Sequence, residues 1–202
     1  MNSKSPKAKI NLRDTPDRKL LLQKADWVKA GLTLFAKEGH EAISITTLAN
    51  QLGVTKGSFY WHFASRDELL DAILQEWTLH ATERVIELVE RSASTPREKI
   101  RALALLGVRS SIEEFGGAIE LAVRNWARGN RKVRNIVAEV DRHRLAYLTE
   151  LFKEATPSAD AELMACLHYS FSAGLRLIFS MSDDAKLRIR EDALDKVFFK
   201  NP

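Results

Sequence analysis

Between Thr55 and His62 the chain sets out six side chains that can donate a hydrogen bond: Thr55, Lys56, Ser58, Tyr60, Trp61 and His62. No carboxylate and no nucleophile–base pair stands with them, so the cluster is not built for bond-making chemistry. Donors with a single ammonium suit a polyanion. Lys56 can donate to guanine acceptors or to phosphate, and Tyr60 and His62 can donate to phosphate oxygens while their ring bodies pack on protein. Trp61 can lay its apolar surface on a thymine methyl or a sugar. Gly57 removes a side chain where a helix would press closest to a duplex. Phe59 and Phe63, four apart, share the opposite face and read as anchors to a small core. An aromatic-rich helix that only plugs a core would explain Phe59 and Phe63. It would not explain the polar start TKGS or the polar tips of the other rings.

The elements around this stretch must hold it out. Ile45, Leu48, Ala49 and Leu52 form a short apolar stripe, with Ser44 or Thr46 as its cap. Gly53 permits a tight turn, Val54 can plug that turn from the apolar side, and Thr55 can cap a second helix from about Lys56 to His62. Two short helices joined in this way are a helix-turn-helix, whose second helix enters the major groove. Upstream, helical spacing starts at Asp17, with Leu20, Leu21, Ala25, Val28, Leu32, Phe35 and Ala36 on one face and Gly39 as terminator. Downstream, Ser65 and Glu68 make a capping box for a helix that runs to about Arg91.

The string ITTLANQLGVTKGSFYWHFASRDELLDAIL resembles the DNA-binding segment of the TetR family of bacterial transcriptional regulators, over roughly residues 20 to 75. The resemblance implies an all-α protein: an N-terminal three-helix helix-turn-helix domain and a larger helical ligand-binding and dimerisation domain. It implies a homodimer on a palindromic operator in double-stranded DNA, acting as a repressor and released when a small molecule binds. Carried onto this sequence, Thr46 and Thr47 open the first motif helix. Thr55, Lys56, Gly57, Ser58, Tyr60, Trp61 and His62 face DNA, and Arg66 meets phosphate where the family commonly has lysine.

The remaining chain carries no comparably specific motif. It divides into a basic arm at 1–16, with Lys4, Lys7, Lys9 and Arg13, then the DNA-binding domain at 17–64 and a regulatory domain at 65–202. Further helices are expected at about 96–112, 117–128, 131–155, 159–181 and 185–199. Trp77, Phe115, Trp126, Tyr147, Leu148 and Tyr169 are candidates to line a mostly apolar pocket for a hydrophobic or aromatic effector, with Arg109 and His168 as polar contacts. Arg124, Arg128 and Arg131 read as a salt-bridge face between helices, and Arg142 and Arg144 as pairing locally with Glu139 and Asp141. Phe171, Gly174, Leu175, Leu194 and Phe198 are expected at a homodimer interface made by the last two helices. The final stripe, Leu187, Leu194, Val197 and Phe198, has little chain left to cover it within one subunit. The alternative to an effector-controlled regulator is a DNA-binding protein of the same fold governed by a protein partner, or constitutive.

Composition agrees with these readings. Net charge is +4 with a pI near 9.2, which points only weakly to a polyanion. No apolar run reaches the length of a membrane span, and MNSKSPKAKINLRDTPDRK lacks the apolar stretch of a signal peptide, so the cytoplasm is expected. The lone Cys166 excludes an internal disulfide and a cysteine zinc finger, and Cys166 and His168 point to different faces of a helix. No G-x-S-x-G, H-E-x-x-H or phosphate-cradling glycine loop is present, so neither an enzyme, a metal nor a cofactor is expected.

Overall fold

A computed structural model describes residues 22–106, 117–156, 159–178 and 180–199. The expected arm, and residues 17–21 of the first helix, lie outside the described residues. Three short helices come first: α1 Lys24–Glu38, α2 Ile45–Leu52 and α3 Lys56–Tyr60. A long helix follows, α4 Arg66–Thr78 passing through a π-helical turn Leu79–Glu83 into α5 Arg84–Ser92. Then come α6 Pro96–Leu106, α7 Gly117–Gly129, α8 Arg131–Ala155, α9 Ala161–Arg176 and α10 Asp183–Ala193, which ends in a second π-helical turn, Leu194–Phe198. No strand occurs among the described residues.

Local chemistry sets the helix ends. Ser44 Oγ accepts from the Thr47 amide at 3.0 Å and so caps α2. Gly53 closes α2 at φ 69 and ψ 30, a left-handed conformation in which a Cβ would be strained. Its amide reaches back to the Ala49 and Asn50 carbonyls. Ser65 Oγ accepts from the Glu68 amide, and the Glu68 carboxylate accepts from the Ala64 amide at 2.7 Å, one residue before the position of an ideal capping box. Thr55 departs from expectation: it occupies the N-cap of α3 without a side-chain cap bond.

Two hydrophobic cores result. The first gathers Trp27, Phe35, Ile43, Leu48, Phe59 and Phe63 from the N-terminal helices with Leu69, Ile73, Leu74 and Trp77 of α4. It continues into Ile119, Val123 and Trp126 of α7 and Val133, Val137 and Val140 of α8. The helix beginning after Ser65 therefore shares the core of α1, α2 and α3, and apolar packing does not break at residue 64. On α1, Leu32 and Phe35 are buried as expected but Ala25 is exposed, because the buried centre is rotated towards Trp27, Ala30 and Leu34. At Gly31 a Cβ would lie 2.7 Å from Ile73 Cδ1, so the Ile73 side chain of α4 packs directly on the α1 backbone at this point.

The second core holds Ile100, Ala104, Leu148, Leu151, Phe152, Ala165, Leu194 and Phe198. This corrects the expectation for the last helix. Leu194 and Phe198 are buried within their own chain, under α6, α8 and α9, with the Phe198 ring 6.1 Å from Phe152 and 6.3 Å from Phe171. Leu175 is buried too.

Replacing Gly53 by alanine forces a Cβ into the left-handed region. It is expected to lower stability by about 1–2 kcal/mol, read as a lower urea midpoint with unchanged slope. An unchanged midpoint would show that the α2–α3 turn can be closed in another conformation.

Candidate nucleic-acid interface and regulatory site

Helix α3 is held from behind by rings. Phe59 is fully buried, edge-on to Trp27 at 5.2 Å and stacked on Phe63 at 5.3 Å. Lys24 Nζ caps the Phe63 ring at 4.7 Å and pairs with Glu68 at 3.1 Å, which ties α1 to the start of α4. With that side fixed, the opposite side stands free. Trp61 is 88% exposed and Tyr60 59%, although both are large and largely apolar. Thr46, Thr47, Thr55, Lys56 and Gly57 are exposed as well, and Ser58 and His62 are half-buried at the edge. α3 ends at Tyr60, earlier than expected, and His62 lies in the turn beyond it. A Cβ at Gly57 would meet only Thr55 Oγ1, at 3.6 Å, so packing within the chain does not demand glycine there.

Arg66 is turned inward rather than out to a phosphate. Its Nε donates to the Ile43 carbonyl at 2.6 Å and its Nη2 to the His40 carbonyl. These bonds fasten the first turn of α4 to the loop between α1 and α2, so Arg66 positions the motif.

The N-terminal helices dock on α7. Trp126 lies 6.0 Å from Phe35 and stacks on His40 at 5.0 Å. Lys132 of α8 pairs with Asp71 of α4 at 2.6 Å. Trp126, a predicted ligand contact, is therefore a joint between the N-terminal helices and the rest.

Behind that joint lies a buried polar network in which Arg124 makes the salt bridge between helices expected of it, to Asp141, and in which Glu120, Arg144 and Tyr169 join it unforeseen. Glu120 of α7 is buried, and Arg144 of α8 donates to both its oxygens at 3.1 Å. Arg124 Nε reaches it at 2.8 Å and Trp77 Nε1 at 3.3 Å. Arg124 continues to Asp141 at 2.6 Å, and the Tyr169 hydroxyl donates to Asp141 at 2.6 Å while accepting from both arginines. Arg144 Nε also donates to the Ala81 carbonyl within the first π-helical turn. Burial works against the Glu120 charge, but Arg144, with Arg124 and Arg176, outweighs it and holds the carboxyl at about 2 instead of its ordinary 4.5. The local pairing expected for Arg142 is present, with Glu139, whereas Arg144 turns inward to this network.

A cavity of about 280 Å³ opens beside the network, between α7 and α9. It is lined by Glu120, Leu121, Arg124, Asn125, Arg128, Ala173, Arg176 and Leu177. None of the predicted ligand contacts is among them. Trp77 and Leu148 are buried in the two cores, and Tyr147 donates to Glu90 of α5. Tyr169 belongs to the network, and His168 is buried edge-on to Phe152 and Phe198. Arg109 and Phe115 lie outside the described residues. Cys166 is exposed while His168 is buried, so the two face apart. One signal for the missed site was the spacing of Glu120, Arg124 and Arg128, four apart along one helix.

Among the described residues, then, the chain is all-helical, with a helix-turn-helix at one end and further helices packed behind it. Residues 28–73 match the family model described as bacterial regulatory proteins, tetR family. The chain is 27% identical over 81 residues to the HTH-type transcriptional repressor KstR2 of Mycobacterium tuberculosis, a match spanning 40% of each protein. The similarity thus covers well under two thirds of that relative's length. Among solved structures it is similar to a transcriptional regulator from Saccharomonospora viridis in complex with choline, with TM-score 0.77, 16% identity, and 88% of this chain and 98% of that one covered. It is also similar to the transcriptional regulator FadR from Bacillus subtilis in complex with stearoyl-CoA, with TM-score 0.67, 17% identity and the same coverage. Residues 28–73 thus carry the N-terminal segment of the tetR family of bacterial regulatory proteins, and the solved structures share the fold of the rest.

Because the Glu120 pKa is depressed on folding, its stabilisation is complete above about pH 4.5 and is lost as pH falls towards 2. Glu120→Gln is expected to cost about 3–5 kcal/mol at neutral pH by leaving Arg144 without its partner, and to flatten the fall in stability below pH 4.5. Denaturant titrations of both proteins from pH 7 to pH 3 check this. A variant with the parent's full acid sensitivity would assign that sensitivity to other carboxylates.

Proposed function

We propose that this chain is a transcriptional repressor that binds a palindromic operator as a homodimer and is released by a small-molecule effector. The observation that carries the DNA-binding half is the outward side of α3. Lys56, Tyr60 and Trp61 are exposed on a helix whose other side is pinned by Phe59 and Phe63 to a rigid core. In this reading Lys56 reaches a base edge or phosphate, Tyr60 and His62 donate to phosphates, and Trp61 covers a sugar or thymine methyl. Thr46, Thr47, Thr55 and Ser58 add hydroxyl contacts to the backbone. The structures in complex with choline and with stearoyl-CoA share this fold, and the cavity between α7 and α9 supports an effector site here.

A single helix-turn-helix meets too few bases for operator specificity, so two copies are required, with half-sites about one helical turn or a multiple apart. The surface that supports pairing is on α9 and α10. Leu163 is 54% exposed and Leu177 60%, with Leu167 and Ile178 also exposed on α9 and Ile189 and Val197 on the last segment. Gly174 lies among them with open space where its Cβ would be. Leu175, Leu194 and Phe198 support this face from beneath, and the exposed leucines make the contact.

Lys56→Ala is expected to weaken binding to a selected operator by about 1–3 kcal/mol, while Tyr60→Phe weakens specific and random DNA alike. Fluorescence anisotropy at fixed salt measures both, and parent-like affinity in both variants would remove α3 as the reading helix. Gly174→Arg is expected to yield monomers that bind operator poorly. A stable dimer of that variant in sedimentation, with operator binding intact, would move the interface elsewhere.

A further inference from the structure

His168, Ser172 and Arg176 follow one another at four-residue spacing along α9, and Arg190 of α10 joins them. These four residues hold most of the buried polar atoms that lack a hydrogen-bond partner. They are His168 Nδ1 and Nε2, Ser172 Oγ, Arg176 Nε, and Arg190 Nε and Nη1, with only Trp27 Nε1 and Thr82 Oγ1 elsewhere among the described residues. Arg190 is 1% exposed, and its one bond is from Nη2 to the Ser172 carbonyl at 3.0 Å. No carboxylate of the described residues lies within ion-pair distance of Arg176 or Arg190. Among the described residues, the guanidiniums of Arg124, Arg144, Arg176 and Arg190 around α9 face the carboxylates of Glu120 and Asp141, four positive charges against two negative.

A buried guanidinium without an acceptor costs more than almost any other arrangement of a side chain. The two surplus charges and the unpartnered N–H and O–H groups share one requirement, an anion with several acceptor oxygens. Arg176 stands at the junction, lining the cavity between α7 and α9 and lying close enough to Arg190 for the two to repel. Leu121, Ala173 and Leu177 supply apolar wall on the cavity side. We propose that Arg176 and Arg190, with Ser172, form the head-group site for an anionic effector, a small molecule with a carboxylate or phosphate head and a short apolar body. The proposal rests on the effector reading above for its consequence at DNA. Burial and the neighbouring Arg176 lower the Arg190 pKa to about 10, and burial with Arg190 lowers His168 to about 4. At neutral pH the guanidinium is thus charged, and the neutral imidazole offers one N–H.

The test uses the full chain with four probes: octanoate, octyl phosphate, inorganic phosphate and the uncharged 1-octanol. Calorimetry or thermal shift is expected to show binding of octanoate or octyl phosphate, or both, and much weaker binding of 1-octanol. Arg190→Met keeps the side-chain volume and removes the charge, and should weaken anion binding about 10- to 100-fold. The same substitution should raise the ligand-free melting temperature, since it relieves an unpaired buried charge. Arg176→Gln provides a second variant with the same expected loss. Binding of inorganic phosphate as tight as that of octyl phosphate, and dependent on Arg190, would keep the anion site and identify free phosphate as its ligand. The proposal is overturned if none of the anions binds the parent, if 1-octanol binds as well as octanoate, or if both variants bind the anions like the parent. Operator release is measured separately with the bound anion. Arg190-dependent binding that leaves the operator complex intact would sink the effector reading and leave the anion site standing.

Discussion

The carboxylate of Glu120 is the interaction on which the arrangement of the larger domain depends. It is buried on α7 and receives N–H groups from Arg144 on α8, Arg124 on its own helix and Trp77 on α4. Through Arg124 and Arg144 it is joined to Asp141 and to Tyr169 of α9. Four helices are thereby fixed in register by one charged cluster rather than by apolar packing alone. Such a cluster adds little net stability over a well-packed apolar one, because desolvation consumes most of the Coulomb gain. What it imposes is direction. Each N–H needs its own oxygen, so helix rotations that an apolar contact would tolerate leave a buried charge unpaired.

Helix α7 inherits that rigidity and passes it on. One end of its surface lines the cavity through Leu121, Arg124 and Arg128, and another carries Trp126 against Phe35 and His40. The residues that border a cavity and those that seat the N-terminal helices therefore sit within two turns of the same helix. A ligand can shift an equilibrium only by the difference in its affinity for two states. In the proposed function that difference would be expressed as a change in how α7 seats α1, since packed joints of this kind move between discrete arrangements rather than bending continuously. The first π-helical turn, whose Ala81 carbonyl accepts from Arg144, links the long α4–α5 helix to the same cluster.

The N-terminal fold was legible because its signals are local. Ser44, Gly53, Ser65 and Gly39 act within a few residues, and the four-residue spacing of Phe59 and Phe63 assigns their face without knowledge of any partner. Most helix positions in the larger domain were legible for the same reason. What failed depended on contacts between distant elements. Trp27 is an exception: its spacing to Ala30, Leu34 and Phe35 lay within α1 itself, but the apolar face was centred on Ala25, Val28 and Leu32 instead. Arg66 was assigned outward because a basic residue beside a DNA-reading helix suggests a phosphate, while its true partners are carbonyls from the α1–α2 loop. Leu194 and Phe198 were assigned to an interface because too little chain seemed left to cover them, yet α6, α8 and α9 fold over them from earlier in the sequence. The expected ligand contacts were mostly aromatic residues; those among the described residues lie in cores, joints and the polar network, whereas the cavity between α7 and α9 is lined by Arg124, Arg128 and Arg176 with apolar neighbours.

That exchange has a physical logic. Apolar rings pack best against one another, so a fold with few aromatic residues spends them on its cores and on the α1–α7 joint. Charged residues are costly to bury, and the chain buries them chiefly where helices α7, α8, α9 and α10 come together. Glu120 and Asp141 satisfy two of the guanidiniums there, and Arg176 and Arg190 are left over. A fold selected only for stability would replace Arg190 with an apolar side chain of similar volume. Its burial at 1% exposure, bonded to the Ser172 carbonyl beside the cavity-wall residue Ala173, fits a charge that the proposed anion completes. Departure from local consistency is expected where function rather than folding selects the residue.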